Sequence, residues 1–323
     1  MTNPLQKCYN AIDNEPKSTF VEVIVLRRQK NGSKSPKNGK CYDNRIAFCE
    51  GCKNGFYIHT TLERKVDGMN FIISANTDIG IVKSTNQDSL TVKTINTAIG
   101  RMSFAVLCDG MGGLAMGEVA SASVIRAFDS WVHNDLPQLC NAPLDGEVIK
   151  AQWEKILLDQ NTAIKAYGGR LGVRLGTTAV VMLLTECAYY VMNVGDSRAY
   201  EITDHLQQIT TDQTFVAREV ALGNMTPEQA EVDERRSVLL QCIGASEEVY
   251  PDFFTGATVQ NAVYMLCSDG FRHEITPDEI FAKFQPGVLL DDASMNRNTV
   301  ELIELNKQRN ERDNISVVLV RTY

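Results

Sequence analysis

Ser103-Phe-Ala-Val-Leu-Cys-Asp-Gly-Met-Gly-Gly113 holds six apolar or small residues of strand type, then an aspartate, then a run rich in glycine. The same arrangement returns elsewhere in the chain. Tyr189 to Val194 runs into Gly195-Asp196, Val263 to Ser268 runs into Asp269-Gly270, and Asp313-Asn314 immediately precedes the apolar run Ile315 to Val320. Each aspartate is therefore expected at the rim of a strand. A single Asp-Gly after a strand reads as a turn. Four such aspartates, one beside glycines that clear space around it, read as a site drawn together from distant segments. Carboxylates brought to one place repel each other and do not all stay ionised near neutral pH without a cation. All-oxygen ligands point to Mg²⁺ or Mn²⁺ rather than zinc or copper.

Outward from these strings, further apolar runs occur at Asn70 to Ala75, Thr178 to Leu184 and Ala262 to Cys267. Two helices are expected between strands. Ala120, Val124, Ala127, Phe128 and Trp131 share one face; Ile149, Trp153, Ile156 and Leu157 share another. Two more helices are announced by Thr226-Pro-Glu-Gln229 and Thr276-Pro-Asp-Glu279, each a capping threonine with proline at the first helical position. Strands and helices mix without regular βαβ alternation, so the fold class is α+β with largely antiparallel sheets.

Charge divides the chain near residue 70. The first 70 residues carry a net +5 and the remainder a net −13. We read residues 1–69 as a basic N-terminal extension of uncertain structure and 70–323 as the catalytic domain. In the extension, Phe20 to Leu26 reads as a strand and Arg27 to Lys40, with six basic residues and no acid, as a loop. Cys41, Cys49 and Cys52 resemble part of a zinc ribbon, but a second C-x2-C pair is missing, so ordinary cysteines are the preferred reading.

The 323 residues are 44% hydrophobic with a net charge of −8, a profile of a globular protein that repels nucleic-acid backbone. No apolar run approaches the roughly 20 residues of a bilayer span. The N-terminus lacks a secretory h-region. The nine cysteines mostly sit in apolar runs and suit reduced thiols. The expected location is the cytoplasm, with no membrane or nucleic-acid partner.

The chain from about residue 70 onward resembles the metal-dependent protein phosphatases (PPM, the type 2C serine/threonine phosphatases) in their bacterial style. The matching strings are Thr77 to Ser89, Val106-Leu-Cys-Asp-Gly-Met-Gly-Gly113, Leu175-Gly-Thr-Thr178, Asn193-Val-Gly-Asp-Ser-Arg-Ala-Tyr200, Ile209 to Thr214, Leu266-Cys-Ser-Asp-Gly270 and Asp313-Asn-Ile-Ser316. The resemblance implies two stacked antiparallel sheets flanked by helices, with two Mn²⁺ or Mg²⁺ ions in the cleft between them. By position, Asp109 is implied to bridge the ions, the Gly110 carbonyl to bind one, and Asp269 and Asp313 to complete the other. Asp88 is implied to hold metal-bound waters, and Asp196 to join Asp269 at a weaker third ion. The implied reaction is hydrolysis of phosphoserine and phosphothreonine by a metal-bridging hydroxide. Its implied substrates are phosphorylated proteins, the targets of a serine/threonine kinase in bacterial signalling.

Two positions depart from the family pattern. Met111 stands where many eukaryotic members carry a histidine as candidate general acid, and methionine donates no proton. Lys83 stands where the family usually has a phosphate-gripping arginine; we expect it to contact substrate phosphate, against the competing reading of a solvated lysine. The polar stretch Thr211 to Arg236 matches the family's flap. Gly110-Met-Gly-Gly-Leu-Ala115 formally fits a dinucleotide-binding string, but Asp109 would face the pyrophosphate and the ribose-binding acid expected at the end of a second strand is missing, since Asp129 falls inside an expected helix. The alternative from another class is a non-catalytic pseudophosphatase that binds phosphoproteins as a scaffold.

Overall fold

In the computed structural model, which describes residues 20–24, 55–57, 68–111 and 116–323, the elements follow in chain order. They are β1 (Phe20–Ile24), β2 (Gly55–Tyr57), β3 (Phe71–Asp78), β4 (Ser89–Thr97), β5 (Gly100–Cys108), α1 (Gly117–Asn134), α2 (Leu136–Leu139), α3 (Gly146–Leu171), β6 (Ala179–Leu184) and β7 (Ala188–Val194). There follow β8 (Arg198–Ile202), β9 (Leu206–Gln208), α4 (Phe215–Ala221), α5 (Pro227–Val232), β10 (Asp252–Ala257), β11 (Val263–Cys267), α6 (Asp269–Arg272), α7 (Pro277–Phe284), α8 (Asp292–Gln308) and β12 (Ile315–Thr322). One sheet has the order β1-β4-β5-β6-β7-β10 and the other β2-β3-β12-β11-β8-β9. Every pairing is antiparallel, as expected. The Arg27 to Lys40 stretch, the cysteines 41, 49 and 52, and Gly112 and Gly113 lie outside the described residues.

The side-chain alternation of the strands separates three apolar layers. On β5, Ala105 and Leu107 point between the sheets, where they meet Val180, Met182, Tyr264, Leu266, Val318 and Val320. Phe104, Val106 and Cys108 point the other way, under α1 and α3. On the second sheet, Met265, Cys267, Val317 and Leu319 face α7 and α8. Helices thus cover both outer faces, giving an α/β/β/α sandwich. This explains why antiparallel strands read as unbroken apolar runs: neither face meets water, so alternation with polar residues is lost.

The two long helices α1 and α3 follow from their expected stripes. Phe104 of β5, Phe128 and Trp131 of α1, and Trp153 of α3 pack with ring centroids 5.5–6.3 Å apart. Trp131 Nε1 donates to Gln152 Oε1 at 2.6 Å, so the buried indole keeps a partner. Thr226 and Thr276 both form complete capping boxes with Gln229 and Glu279. The described cysteines are free thiols, with Cys108, Cys140, Cys242 and Cys267 buried. Among the described residues, no helix is long and apolar enough to cross a membrane.

The strand at Ser89–Thr97 was not anticipated. It carries the fully buried Lys93, whose ammonium pairs with Asp129 of α1. Asp129 therefore belongs to a link between sheet and helix, and the acid a dinucleotide site requires is spent elsewhere.

Candidate active site

Sheet register carries the aspartates to one end of the sandwich. Ser89, which follows Asp88, pairs with Cys108, which precedes Asp109. Leu107 pairs with Val180, and Ala179 pairs with Val194, just before Gly195-Asp196. On the other sheet, Cys267, just before Ser268-Asp269, pairs with Val317 and with Arg198. Ile315, two residues after Asp313, pairs with Asp78. Five carboxylates from five separate segments are thereby gathered at the mouth of the cleft between the sheets.

Backbone clamps fix their positions. The Asp109 N–H donates to Thr178 Oγ1 at 3.0 Å, and its carbonyl accepts from Thr178 N at 2.9 Å and Thr177 Oγ1 at 2.9 Å. Gly110 then bridges to Thr177. This gives the string Leu175 to Thr178 a concrete role that motif matching alone did not supply. Gly110 is confined by the chain itself: a Cβ there would meet the Gln87 carbonyl and lie 2.6 Å from Gly117. Asn314 performs the matching task opposite. Its Oδ1 accepts from Gln87 N at 2.8 Å, and its amide donates to the carbonyls of Ile79 and Thr85 at 3.0 and 3.3 Å. It thereby ties the loop bearing Lys83 and Asp88 to the start of β12.

The electrostatics follow from this crowding. Burial, together with Asp313 and Asp269, pushes Asp88 up to about 7. Burial and the facing Asp88, Asp269, Asp313 and Asp196 push Asp109 well above the ordinary carboxylate range. Burial and Asp269 raise Asp196 to about 7 despite Arg272. Asp269 differs: burial pushes it upward as well, but His273 and Arg272 bring it below its usual value.

Three basic side chains stand around this cluster, and only one was expected. Lys83 Nζ lies 2.8 Å from Asp313 Oδ1, so the lysine enters the site as the partner of an implied metal ligand. Arg272 Nη2 donates to the Asp196 carbonyl at 3.0 Å and approaches the Asp196 carboxylate at 3.9 Å. His273 Nε2 stands 3.5 Å from Asp269 Oδ2. Behind Arg272, Asp212 accepts both prongs of the Arg198 guanidinium at 2.8 and 2.7 Å, joining the flap's base to the Gly195-Asp196 turn. The i,i+4 spacing of Asp269 and His273 was the available sequence signal for the histidine.

The residues fit hard divalent cations. The donors are carboxylates and a backbone carbonyl, the kind of set Mn²⁺ and Mg²⁺ prefer. One buried oxygen, Asp269 Oδ1, has no hydrogen-bond partner. Among the described residues, no three His, Cys, Asp or Glu side chains stand close enough together to close around one ion. The polar stretch from Thr211 to Arg236 carries α4 and α5, and its start is tied to the Gly195-Asp196 turn by the Gln213 N–H, which donates to the Gly195 carbonyl at 3.1 Å. The guanidinium groups of Arg218 and Arg235 stand over the Phe215 ring, 5.2 and 4.3 Å from its centroid.

Known proteins identify the family of the chain. No family model matches the chain. A Streptococcus pyogenes protein named "Putative protein phosphatase 2C-type" is 30% identical over 252 residues, covering 77% of this chain and 96% of the relative. The crystal structure of the Mycobacterium tuberculosis serine/threonine phosphatase PstP/Ppp superposes with a TM-score of 0.64 at 30% identity, covering 78% of this chain and 98% of that one. A structure of the PstP catalytic domain in complex with two manganese ions superposes with a TM-score of 0.61 at 28% identity, covering 79% and 99%. With this fold, this register of aspartates and these relatives, the chain belongs to the metal-dependent protein phosphatases of the 2C type.

Proposed function

We infer that the chain is a metal-dependent serine/threonine protein phosphatase that hydrolyses phosphoserine and phosphothreonine in phosphorylated proteins, the products of a serine/threonine kinase. The observation that carries this reading is the gathering of Asp88, Asp109, Asp196, Asp269 and Asp313 at one end of the sandwich by strand register. In this reading Asp109, the Gly110 carbonyl, Asp269 and Asp313 hold two Mn²⁺ or Mg²⁺ ions, Asp88 orients their waters, and Asp196 with Asp269 serves a weaker third. A pair of such ions supplies a water of lowered pKa and neutralises charge on the phosphoryl oxygens.

The chain's own residues do the rest. Thr177 and Thr178 hold the Asp109-Gly110 backbone so that carboxylate and carbonyl present themselves together. Lys83, partly exposed beside Asp313, places an ammonium where a phosphate dianion approaches. Met111 donates no proton, so the departing serine or threonine oxygen takes its proton from water rather than from a side chain at that position. Intact carboxylates weigh against the scaffold reading, since a binding protein gains nothing from their mutual repulsion.

We place the catalytic domain at 70–323 and the protein in the cytoplasm. Strands β1 and β2 are the edge strands beside β4 and β3, and every site residue named above lies downstream of them. Deleting residues 1–68 is expected to leave a folded enzyme with hydrolysis of p-nitrophenyl phosphate within a few-fold of the full chain and a modestly lower Tm. An insoluble or inactive truncation would show that the edge strands are part of the catalytic domain.

The function itself is tested by turnover of a phosphothreonine peptide by the purified chain. Turnover is expected with Mn²⁺, lost with EDTA, and lost in Asp109→Ala and Asp269→Ala variants that remain folded. A well-folded chain that binds the phosphopeptide without hydrolysing it in Mn²⁺ or Mg²⁺ would establish the scaffold instead.

A further inference from the structure

Glu311 is an acid that the phosphatase reading leaves without a task. It sits in the turn before β12, yet it is only 4% exposed, which is unusual for a glutamate without a purpose. One carboxylate oxygen, Oε1, accepts from the backbone N–H groups of Arg312 at 2.7 Å and Asp313 at 2.8 Å. The other, Oε2, stands 3.4 Å from His273 Nδ1. On its far side the same imidazole presents Nε2 to Asp269 Oδ2 at 3.5 Å. A single carboxylate therefore reaches both Asp313, through the main chain, and Asp269, through a histidine, although the two ligands lie on different strand ends.

We propose that Glu311 and His273 form a positioning pair for the metal centre, holding Asp269 and Asp313 in the mutual orientation that one divalent cation needs. The proposal rests on the phosphatase reading. Outer partners of metal ligands fix ligand orientation, and their loss typically costs about 10–100-fold in metal affinity. The geometry gives the pair two separate functions. The Oε1 contacts shape the 311–313 turn, and the Oε2–imidazole contact aims the ring at Asp269. A residue that only capped a turn would need the first and not the second. In this arrangement both residues act through the ligands, as positioning residues.

The test is Mn²⁺ binding to the full-length chain by isothermal titration calorimetry, with the thermal melt in EDTA as the check on folding. His273→Gln leaves the 311–313 turn alone and is expected to weaken Mn²⁺ binding by about tenfold while the metal-free Tm stays close to wild type. Glu311→Gln keeps an oxygen acceptor for the two backbone donors and is expected to fall between wild type and Glu311→Ala. In all three variants, raising Mn²⁺ is expected to restore kcat toward wild type with little change in KM for p-nitrophenyl phosphate, a rescue that a merely structural lesion would not show. Wild-type Mn²⁺ affinity in His273→Gln would overturn the pair, and so would a kcat deficit that saturating Mn²⁺ does not repair. If the wild-type chain itself binds no Mn²⁺, the phosphatase reading falls first and the pair with it, an outcome distinct from a failure of the variants alone.

Discussion

The two sides of the cleft treat their carboxylates differently. On the first sheet's side, Asp109 follows β5, and the charges that act on it most strongly are other carboxylates: Asp88, Asp269, Asp313 and Asp196. On the second sheet's side, Asp269 follows β11 within reach of His273 and Arg272, and Asp313 precedes β12 in contact with Lys83. Burial opposes ionisation on both sides, but only the second side supplies cations of its own. The first side is thus poised to require a metal, whereas the second is partly neutralised before a metal arrives. A ligand set that is half strained and half compensated can fold without metal and still gain from binding it.

The largest expected effect tests this asymmetry directly. Asp109→Asn and Asp269→Asn are each expected to reduce Mn²⁺-dependent hydrolysis by roughly 10³-fold, since each removes an implied ligand. Their metal-free stabilities are expected to move apart. Asp109→Asn relieves repulsion and is expected to raise the Tm in EDTA by about 2–4 °C, on the order of 1 kcal/mol. Asp269→Asn leaves His273 and Arg272 facing a neutral group and is expected to leave the Tm unchanged or lower it. Equal shifts in the two variants would dissolve the comparison.

Next in size is the pH dependence. Asp88 and Asp196 titrate near 7 in the folded chain, above their ordinary value near 4. The folded state therefore binds more protons than the unfolded state between those values. Their contribution to stability is full below about pH 4 and is lost as pH rises through about 7. His273, which burial lowers but Glu311 and Asp269 raise above its usual value, adds a loss of the same sign as pH passes through its own pKa. In EDTA, the melting temperature is expected to fall between pH 5 and pH 8 by more than the rest of the chain accounts for. Saturating Mn²⁺ is expected to flatten that slope, because cations then hold the carboxylates ionised. A slope unaffected by Mn²⁺ would mean that these groups do not face the metal.

The smallest effect concerns Lys83. Its ammonium competes with any cation for Asp313, so Lys83→Met is expected to tighten Mn²⁺ binding a few-fold while raising KM for a phosphopeptide. Lys83→Arg is expected to raise kcat/KM several-fold, because a guanidinium grips phosphate with two parallel hydrogen bonds, a difference on the order of 1 kcal/mol. Wild-type kinetics in Lys83→Met on both a small ester and a phosphopeptide would return this residue to an ordinary solvated lysine.

What the sequence disclosed and what it hid have separate physical causes. The strands at Ser103–Cys108, Ala188–Val194 and Ile315–Val320 stand out because both their faces are buried, which concentrates apolar residues into runs. Ser89–Thr97 hides its strand character because Thr91, Lys93 and Thr94 are polar yet buried, and Lys93 pairs with Asp129 on a helix it meets in three dimensions. Asp252–Ala257 hides for the opposite reason, as an edge strand paired on one side only and largely solvent-facing. The aspartates were legible because strand ends are local features. Arg272 and Glu311 were not, and His273 offered only its i,i+4 spacing to Asp269; a glutamate two residues before Asp313 looks like any surface acid until the fold brings it against His273. Gly110 was legible for a partly different reason than the one expected: its space is filled by Gln87 and Gly117 of this chain.

The central claim is that carboxylates from five segments make one divalent-metal centre that hydrolyses phosphate esters. The most direct measurement is a calorimetric titration of Mn²⁺ into the purified full-length chain, paired with phosphothreonine-peptide hydrolysis at each point of the titration. The account predicts binding of two ions per chain, with turnover rising as they load, and the loss of both in Asp109→Ala. Hydrolysis that proceeds undiminished in EDTA, or a folded chain that takes up no Mn²⁺ or Mg²⁺, would contradict it.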